Sequence, residues 1–232
     1  RFKGKAAPAE IRIFPKDPQM TIPGGSGPVG KVVSGYYNNY AKAASDIAPF
    51  DGNSEIYVTL NSIDPRLMQR ASNRLQFWAK DTTSDRDITE ILWFPIDVDP
   101  IRARGISSTD SELQSAVVVR DRIIAQVFTP LKIPVICGMS GNGAHGLIPL
   151  IGYPNDSTTK SEIKRLLDWL SKTFSNEHVS VDSSVGNPAR IWKVYETMAT
   201  KGDNTDEAPH RRSYISGIPG ISGIPGSVTS DG

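Results

Sequence analysis

Trp93-Phe94-Pro95-Ile96-Asp97-Val98-Asp99-Pro100 closes an apolar run that begins at Ile91, and its two acids stand at i and i+2. The length and apolar content of residues 91–99 predict a buried core strand. In a strand alternate side chains share a face, so Asp97 and Asp99 would point the same way, a few ångströms apart. Like charges that close are costly unless a cation stands between them, which favours a divalent metal site. The same two acids would equally fit a solvated turn if the strand ended near Asp97.

Working outward, Thr109 with Glu112 three residues on forms a capping box ahead of Leu113, Val117, Ile124 and Val127, which predicts a helix. A second core strand is expected over 133–137. The glycine-rich turn Gly138-Met139-Ser140-Gly141-Asn142-Gly143 then leads into residues 144–150. Thr159 and Glu162 read as another capping box before Ile163, Leu166, Leu167, Leu170 and Phe174, with Trp169 bordering the apolar face. A short strand is expected over 178–182. Asn187-Pro188 then reads as the start of a last helix carrying Ile191, Val194 and Tyr195. Upstream, turn formers dominate the first 50 residues around a strand over 11–14. A small helix over 40–45, a strand over 55–60 and a helix opened by Asp64-Pro65 and running to Asn73 follow. The mixture predicts an α/β (α+β) domain over 1–215, with 216–232 a Gly/Pro-rich linker or tail built on two near-copies of Ser-Gly-Ile-Pro-Gly.

At 232 residues, 38% hydrophobic and 22% charged, the chain is long enough for one sizeable core. Its 26 basic and 25 acidic side chains leave a net charge of +1, which neither demands nor forbids a nucleic-acid partner. Cys137 is the single cysteine, excluding an internal disulfide framework and any Cys-rich zinc site, and a cytoplasmic location is expected. The longest apolar runs fall far below the roughly 18 residues of a membrane span, so no membrane partner is expected. The start at Arg1, without Met or an apolar leader, reads as a cut or processed boundary.

Other residues able to carry chemistry are scattered. Asp182, closing the strand over 178–182, is a third possible metal ligand, although an Asp before two serines commonly serves a turn. His145 follows the Ser140-Gly141-Asn142-Gly143-Ala144 run and could meet a phosphate with Ser140 and the glycine backbone. A lone His beside apolar residues is more often structural. The absence of Gly-Lys-Ser or Gly-Lys-Thr excludes a P-loop. Arg190 and Lys193 lie three apart on the expected last helix, either contacting phosphates or forming a solvated face. Lys201, His210, Arg211 and Arg212 form a late basic cluster, diluted by Asp203, Asp206 and Glu207, that fits a DNA backbone or a plain surface.

Taken in order, Asp97-Val98-Asp99-Pro100, Ser140-Gly141-Asn142-Gly143-Ala144-His145, Val181-Asp182 and Asn187-Pro188-Ala189-Arg190-Ile191-Trp192-Lys193 resemble the archaeo-eukaryotic primase superfamily. The likeness is to primase-polymerases of bacteria, phages and mobile elements, over about residues 30–215. Tyr57-Val58-Thr59-Leu60-Asn61, Thr82-Thr83-Ser84-Asp85, Gly105-Ile106-Ser107-Ser108-Thr109-Asp110 and Pro209-His210-Arg211-Arg212 look like further family blocks. The resemblance implies a primase fold, with an RRM-like catalytic sheet joined to an N-terminal α/β portion. It also implies template-directed nucleotidyl transfer from NTPs or dNTPs on single-stranded DNA, with or without a primer strand. Asp97, Asp99 and Asp182 would hold two Mg2+ or Mn2+ ions. His145 with Ser140, Asn142 and Gly143 would bind the nucleotide, assisted by Arg190 and Lys193, while a fused or associated helicase or CRISPR-associated protein is an implied partner.

Two positions depart from the family pattern. Asp81 stands where a basic residue or histidine is common, and Gly186 replaces a bulkier apolar residue, which is expected to loosen the approach to the Arg190 helix. Two rivals remain: a replication-initiator nickase, which would want clustered histidines beside a nucleophilic tyrosine such as Tyr36, Tyr37 or Tyr40, and a non-catalytic DNA-binding module.

Overall fold

Two antiparallel sheets meet at a cleft, and the alternation of one long strand decides which side chains enter it. The computed structural model describes residues 6–25 and 27–217. The N-terminal sheet has the order β2 (Val33–Tyr37), β1 (Ala9–Pro15), β3 (Ser54–Thr59), β9 (Ile191–Lys193). Ile13, Val33, Tyr37 and Ile56 from its strands pack with Phe50 and with Ala43 and Ile47 of helix α1 (Tyr40–Ile47), which Asn39 caps.

The second sheet runs β12 (Tyr214–Gly217), β6 (Ile136–Met139), β7 (Ala144–Pro154), β5 (Ile88–Pro100), β4 (Ser62–Ile63), with β8 (Val179–Val181) also paired to β5. One face is covered by α2 (Asp110–Ile123) and α3 (Ser157–Phe174), whose Ala116, Val119, Ile123, Ile163, Leu167 and Leu170 pack on Phe94, Ile96 and Val98. A two-stranded ribbon, β10 (Met198–Ala199) and β11 (Arg211–Arg212), stands apart from both sheets.

β5 controls the arrangement. Ile91 pairs with Tyr153 but Trp93 pairs with Pro149, a bulge in the ladder with β7. Asn61 fills the gap: its Oδ1 accepts from the backbone N–H groups of Leu92 and Trp93 at 2.8 and 3.3 Å, and its Nδ2 donates to Pro188 O at 2.8 Å. The extra residues belong to β7, where 150–152 stand opposite Leu92 alone, so the two-residue step of β5 is kept. Phe94, Ile96 and Val98 are buried under α2 and α3. Asp97 and Asp99 alternate with them and so lie on the opposite face, away from the helices, as the strand reading of 91–99 requires.

The mixed α+β organisation expected from the sequence is what the fold has, with Thr109 and Glu112 forming the capping box of α2. Several boundaries differ. The helix expected from Asn187-Pro188 is a turn, Arg190 N–H to Asn187 O at 3.0 Å, followed by β9. Ile191, Trp192 and Lys193 find backbone partners in Thr59, Val58 and Tyr57, and their β-branched and aromatic character suits that ladder. Helix α3 starts two residues before Thr159, because the Asp156 carboxylate accepts from Thr159 N–H at 2.8 Å and takes the cap. The helix expected over 64–73 is a 3-10 segment, Pro65–Gln69, after which the chain returns to pair Ser72 and Gln76 with Tyr36 and Ser34. β6 begins at Ile136 rather than 133, since Pro134 has no N–H for a ladder.

Gly186 does not loosen its surroundings: a β-carbon there would lie 2.8 Å from Ile163 Cγ2 and from Leu167 Cδ1, so the glycine lets its loop press on α3. β12 runs to Gly217, taking in Ser216 and Gly217, while residues 218–232 of the expected tail lie outside the described residues. No helix among the described residues is long and apolar enough to cross a membrane.

Gly141, in the β6–β7 turn, has φ +112° and would place a β-carbon 2.1 Å from Ala199 Cβ. Gly141→Ala is expected to cost roughly 2–3 kcal/mol through backbone strain and overpacking. A lowered urea midpoint with unchanged slope would report it; an unchanged midpoint would contradict the tight turn.

Candidate functional site

A cavity of about 480 Å3 opens where the two sheets face each other. β5 supplies Asp97 and Asp99, β7 supplies His145, and the β6–β7 turn supplies Ser140 and Asn142. Asp182 enters just beyond β8. The opposite wall is Phe14 of β1, Glu55 and Tyr57 of β3, and Ile191, Trp192 and Lys193 of β9, with Arg102, Arg190, Ala199 and Lys201 around them. Residues separated widely in sequence, 97 and 182 above all, thus come to one place because β7 and β8 both pair with β5.

The carboxylates are incompletely satisfied. Asp97 Oδ1 is buried with no hydrogen-bond partner, and His145 Nε2 stands 3.5 Å from it, too far for a hydrogen bond. Burial, then repulsion from Asp97, pushes the Asp99 carboxyl up to about 6, against weaker opposing pulls from Arg102, His145 and Lys201. Asp182 borders the same cavity. Its backbone N–H donates to Asp97 O at 2.9 Å, and its Oδ1 accepts from Ser184 N–H at 2.7 Å, so one oxygen serves a turn and the other is left to the cavity. Among the described residues no three His, Cys, Asp or Glu side chains form a ready-made metal cluster; the three aspartates share the cavity without a closed ligand set.

His145 is held from three directions. Its ring lies 4.1 Å from that of Trp192, its Nδ1 is 3.1 Å from Tyr195 Oη, and its Nε2 faces Asp97. Burial pushes the Tyr195 phenol up to about 12. The turn beside it closes through Ser140 N–H to Gly143 O at 3.0 Å and Gly143 N–H to Ser140 Oγ at 3.0 Å. Gly143 itself touches the acids, since a β-carbon there would lie 2.4 Å from Asp99 Oδ1. Asn142 is a clamp: Oδ1 accepts from Ser108 N–H at 2.9 Å, and Nδ2 donates to Lys201 O at 3.3 Å.

The basic residues sort differently from their sequence reading. Lys193 is not on an exposed helical face; it is buried on β9, its Nζ 3.0 Å from Glu55 Oε2 and donating to Met198 O at 2.8 Å. Glu55 is held below the usual carboxylate range: burial alone would raise it, but the Lys193 charge and hydrogen bonds from Thr200 and Lys193 prevail. Arg190 donates to Val185 O at 3.2 Å and Ser184 O at 2.6 Å; carbonyls orient the guanidinium without neutralising it.

Lys201 is exposed and lines the cavity, whereas the rest of its cluster is engaged elsewhere. His210 Nε2 lies 2.9 Å from Gly202 O, Arg211 pairs with Asp110 at 2.6 Å, and Arg212 pairs with Asp51 at 2.8 Å. Asp81 is exposed and outside the cavity lining.

Sequence reasoning missed the far wall. Phe14, Glu55 and Arg102 carry no motif, Tyr57 stands in a family block with no role attached, and only the pairing of β1, β3 and β9 brings Phe14, Glu55 and Tyr57 forward. Tyr36 and Tyr37 are fully buried in the core, and Tyr40 donates to Ala7 O at 2.6 Å, an arrangement that gives a nickase no tyrosine beside a histidine pair.

No protein-family model matches the chain, and no curated protein matches it in sequence. Among solved structures, the polymerase domain from Mycobacterium tuberculosis Ligase D in complex with DNA is similar to it with a TM-score of 0.44 and 15% identity, over 89% of this chain and 74% of that one.

The raised Asp99 carboxyl makes a prediction with a definite sign. A carboxyl whose folded pKa lies near 6, above its ordinary 3.8, binds its proton more tightly when folded, so stability falls as pH rises from about 4 to 6. Asp99→Asn should therefore stabilise the metal-free protein by about 3 kcal/mol at pH 7.5, the gain vanishing below about pH 4. Urea unfolding of both proteins across that range checks it; a destabilised variant at pH 7.5 would contradict the buried-charge reading.

Proposed function

We propose that this chain is a template-directed primase-polymerase, a nucleotidyltransferase that joins nucleotides from NTPs or dNTPs on a DNA template and releases pyrophosphate. The observation that carries the reading is the Asp97–Asp99 pair. Two carboxylates on one strand face, one with an orphaned buried oxygen and the other with a raised pKa, make a site that is unfavourable until a cation enters. The donors are all hard oxygens, the preference of Mg2+ and Mn2+. Asp97 and Asp99 would hold such ions with Asp182 completing the set through its uncommitted oxygen. When bound, two ions supply activation of the attacking hydroxyl and stabilisation of the departing phosphate oxygens.

The charges of the lining support a triphosphate beside those ions. Four acids and four bases face the cavity. Glu55 and Lys193 neutralise each other, which leaves Asp97, Asp99 and Asp182 against Arg102, Arg190 and Lys201. The acids take the cations and the bases the phosphates. Arg190 is oriented for this by carbonyls alone, and His145 offers a nitrogen at the boundary between the two groups. Phe14 and Tyr57, edge to face at 5.8 Å, give an aromatic surface on the far wall where a base can lie. Lys193 acts in this scheme by holding Glu55, and Asn142 by fixing the turn. Arg211 and Arg212 tie their strand to Asp110 and Asp51, so Lys201 is the member of the late basic cluster best placed for a phosphate.

One observation favours the rival reading of a DNA-binding module without turnover: the described residues contain no closed metal cluster. Labelled NTPs and dNTPs, offered on single-stranded DNA with and without an annealed primer in Mg2+ or Mn2+, decide between them. Incorporation is expected, and Asp97→Ala should lower it at least about a hundredfold while the fold is kept. A substantially retained rate in Asp97→Ala would reject its role as ligand, and DNA binding without incorporation in any arm would establish the binding module.

A further inference from the structure

Behind the cavity, a short chain of polar contacts leads from the indole of Trp192 to the imidazole of His145. Trp192 Nε1 can only donate, and at 3.0 Å from Tyr195 Oη it gives its hydrogen to that oxygen. The phenol has one hydrogen of its own, and His145 Nδ1 stands 3.1 Å away. If Nδ1 carried a proton and also donated to Oη, the phenolic hydrogen would have no acceptor among the described residues, an arrangement costly in this largely enclosed setting. With the phenol donating, every group in the chain has a partner.

We infer that Tyr195 is a positioning residue that fixes His145 as its Nε2–H tautomer, so that the imidazole presents a hydrogen-bond donor to a phosphate oxygen of the bound nucleotide. Two features hold the pair in register. The Trp192 ring covers the imidazole at 4.1 Å, and residue 138 carries no side chain where a β-carbon would lie 2.5 Å from the phenolic oxygen. On the far side of the ring, Nε2 stands 3.5 Å from Asp97 Oδ1, too far to spend its hydrogen there. The donor is therefore kept for what enters the cavity. The opposite tautomer would turn a lone pair toward Asp97 and an incoming phosphate, placing acceptors against one another. Fixing the tautomer thus decides whether His145 attracts or repels an anion while remaining neutral.

The role toward a phosphate rests on the function proposed above; the tautomer does not. Two-bond 15N–1H correlation spectra of the 15N-labelled full chain report the protonation of each imidazole nitrogen, and with 3 histidines in the sequence His145 is assigned by its loss in His145→Gln. At a pH where the ring is uncharged, wild type should show the Nε2–H form alone. Tyr195→Phe, which keeps the ring and removes the hydroxyl, should show a mixture, and its KM for nucleotide should rise about tenfold while kcat changes less than about threefold. A merely structural role would leave the tautomer untouched. An Nδ1–H form in wild type would overturn the inference, as would a Tyr195→Phe protein with the wild-type tautomer and KM. The wild-type spectrum needs neither variant nor activity, so it decides the tautomer even if Tyr195→Phe fails to fold or no nucleotide is incorporated.

Discussion

The alternation of side chains along β5 is the constraint on which the rest of the cleft depends. A strand offers its side chains to two faces in strict alternation, and β5 must serve a helix layer on one face and a polar cavity on the other. Phe94, Ile96 and Val98 take the helix side, which leaves Asp97 and Asp99 to the cleft. Where residues 150–152 of β7 stand opposite Leu92 alone, Asn61 takes the backbone donors of Leu92 and Trp93. Because the same side chain also donates to Pro188 O, the break in the β5–β7 ladder and the approach to β9 are tied by one amide group.

Electrostatics inside the cleft follows from which charges are answered within the protein. The Glu55–Lys193 pair is buried and closed on itself, with Thr200 and Met198 supplying further partners. It stiffens the wall without adding net charge. Asp97 and Asp99 have no such answer, and the protein carries their mutual repulsion in its resting state. Stability is given up at this one strand and kept elsewhere, in the two apolar clusters that flank it.

Much of the second sheet was legible in the sequence because its signals are local. The apolar run ending in Asp97 and Asp99, the Thr109–Glu112 box and the glycine turn each announce their own conformation. The last helix was misread because Ile191 and Val194 fit a helical spacing, whereas tertiary pairing with β3 made the segment a strand; periodicity over so few residues cannot separate the two. Lys193 was placed on the wrong surface for the same reason. Tyr195 passed as an apolar helix position. Most of the far wall has no local signal: Phe14 and Glu55 stand in no motif, and Tyr57, though in a family block, gains its role only when β1 and β3 are laid beside β9. Asp156 outcompeting Thr159 as a cap is a smaller instance: two acceptable caps lay within one turn, and the carboxylate won.

β9 belongs by its backbone to the N-terminal sheet, yet Trp192 lies against a histidine of the other sheet. Asp51, from the first sheet's side, likewise accepts from Met198 N–H and pairs with Arg212. The two walls are therefore fastened behind the cavity as well as facing each other across it. Opening them like jaws would break an aromatic stack and an ion pair together, so the spacing of the slot that Phe14, Arg102 and Lys201 border is tied to the packing behind it.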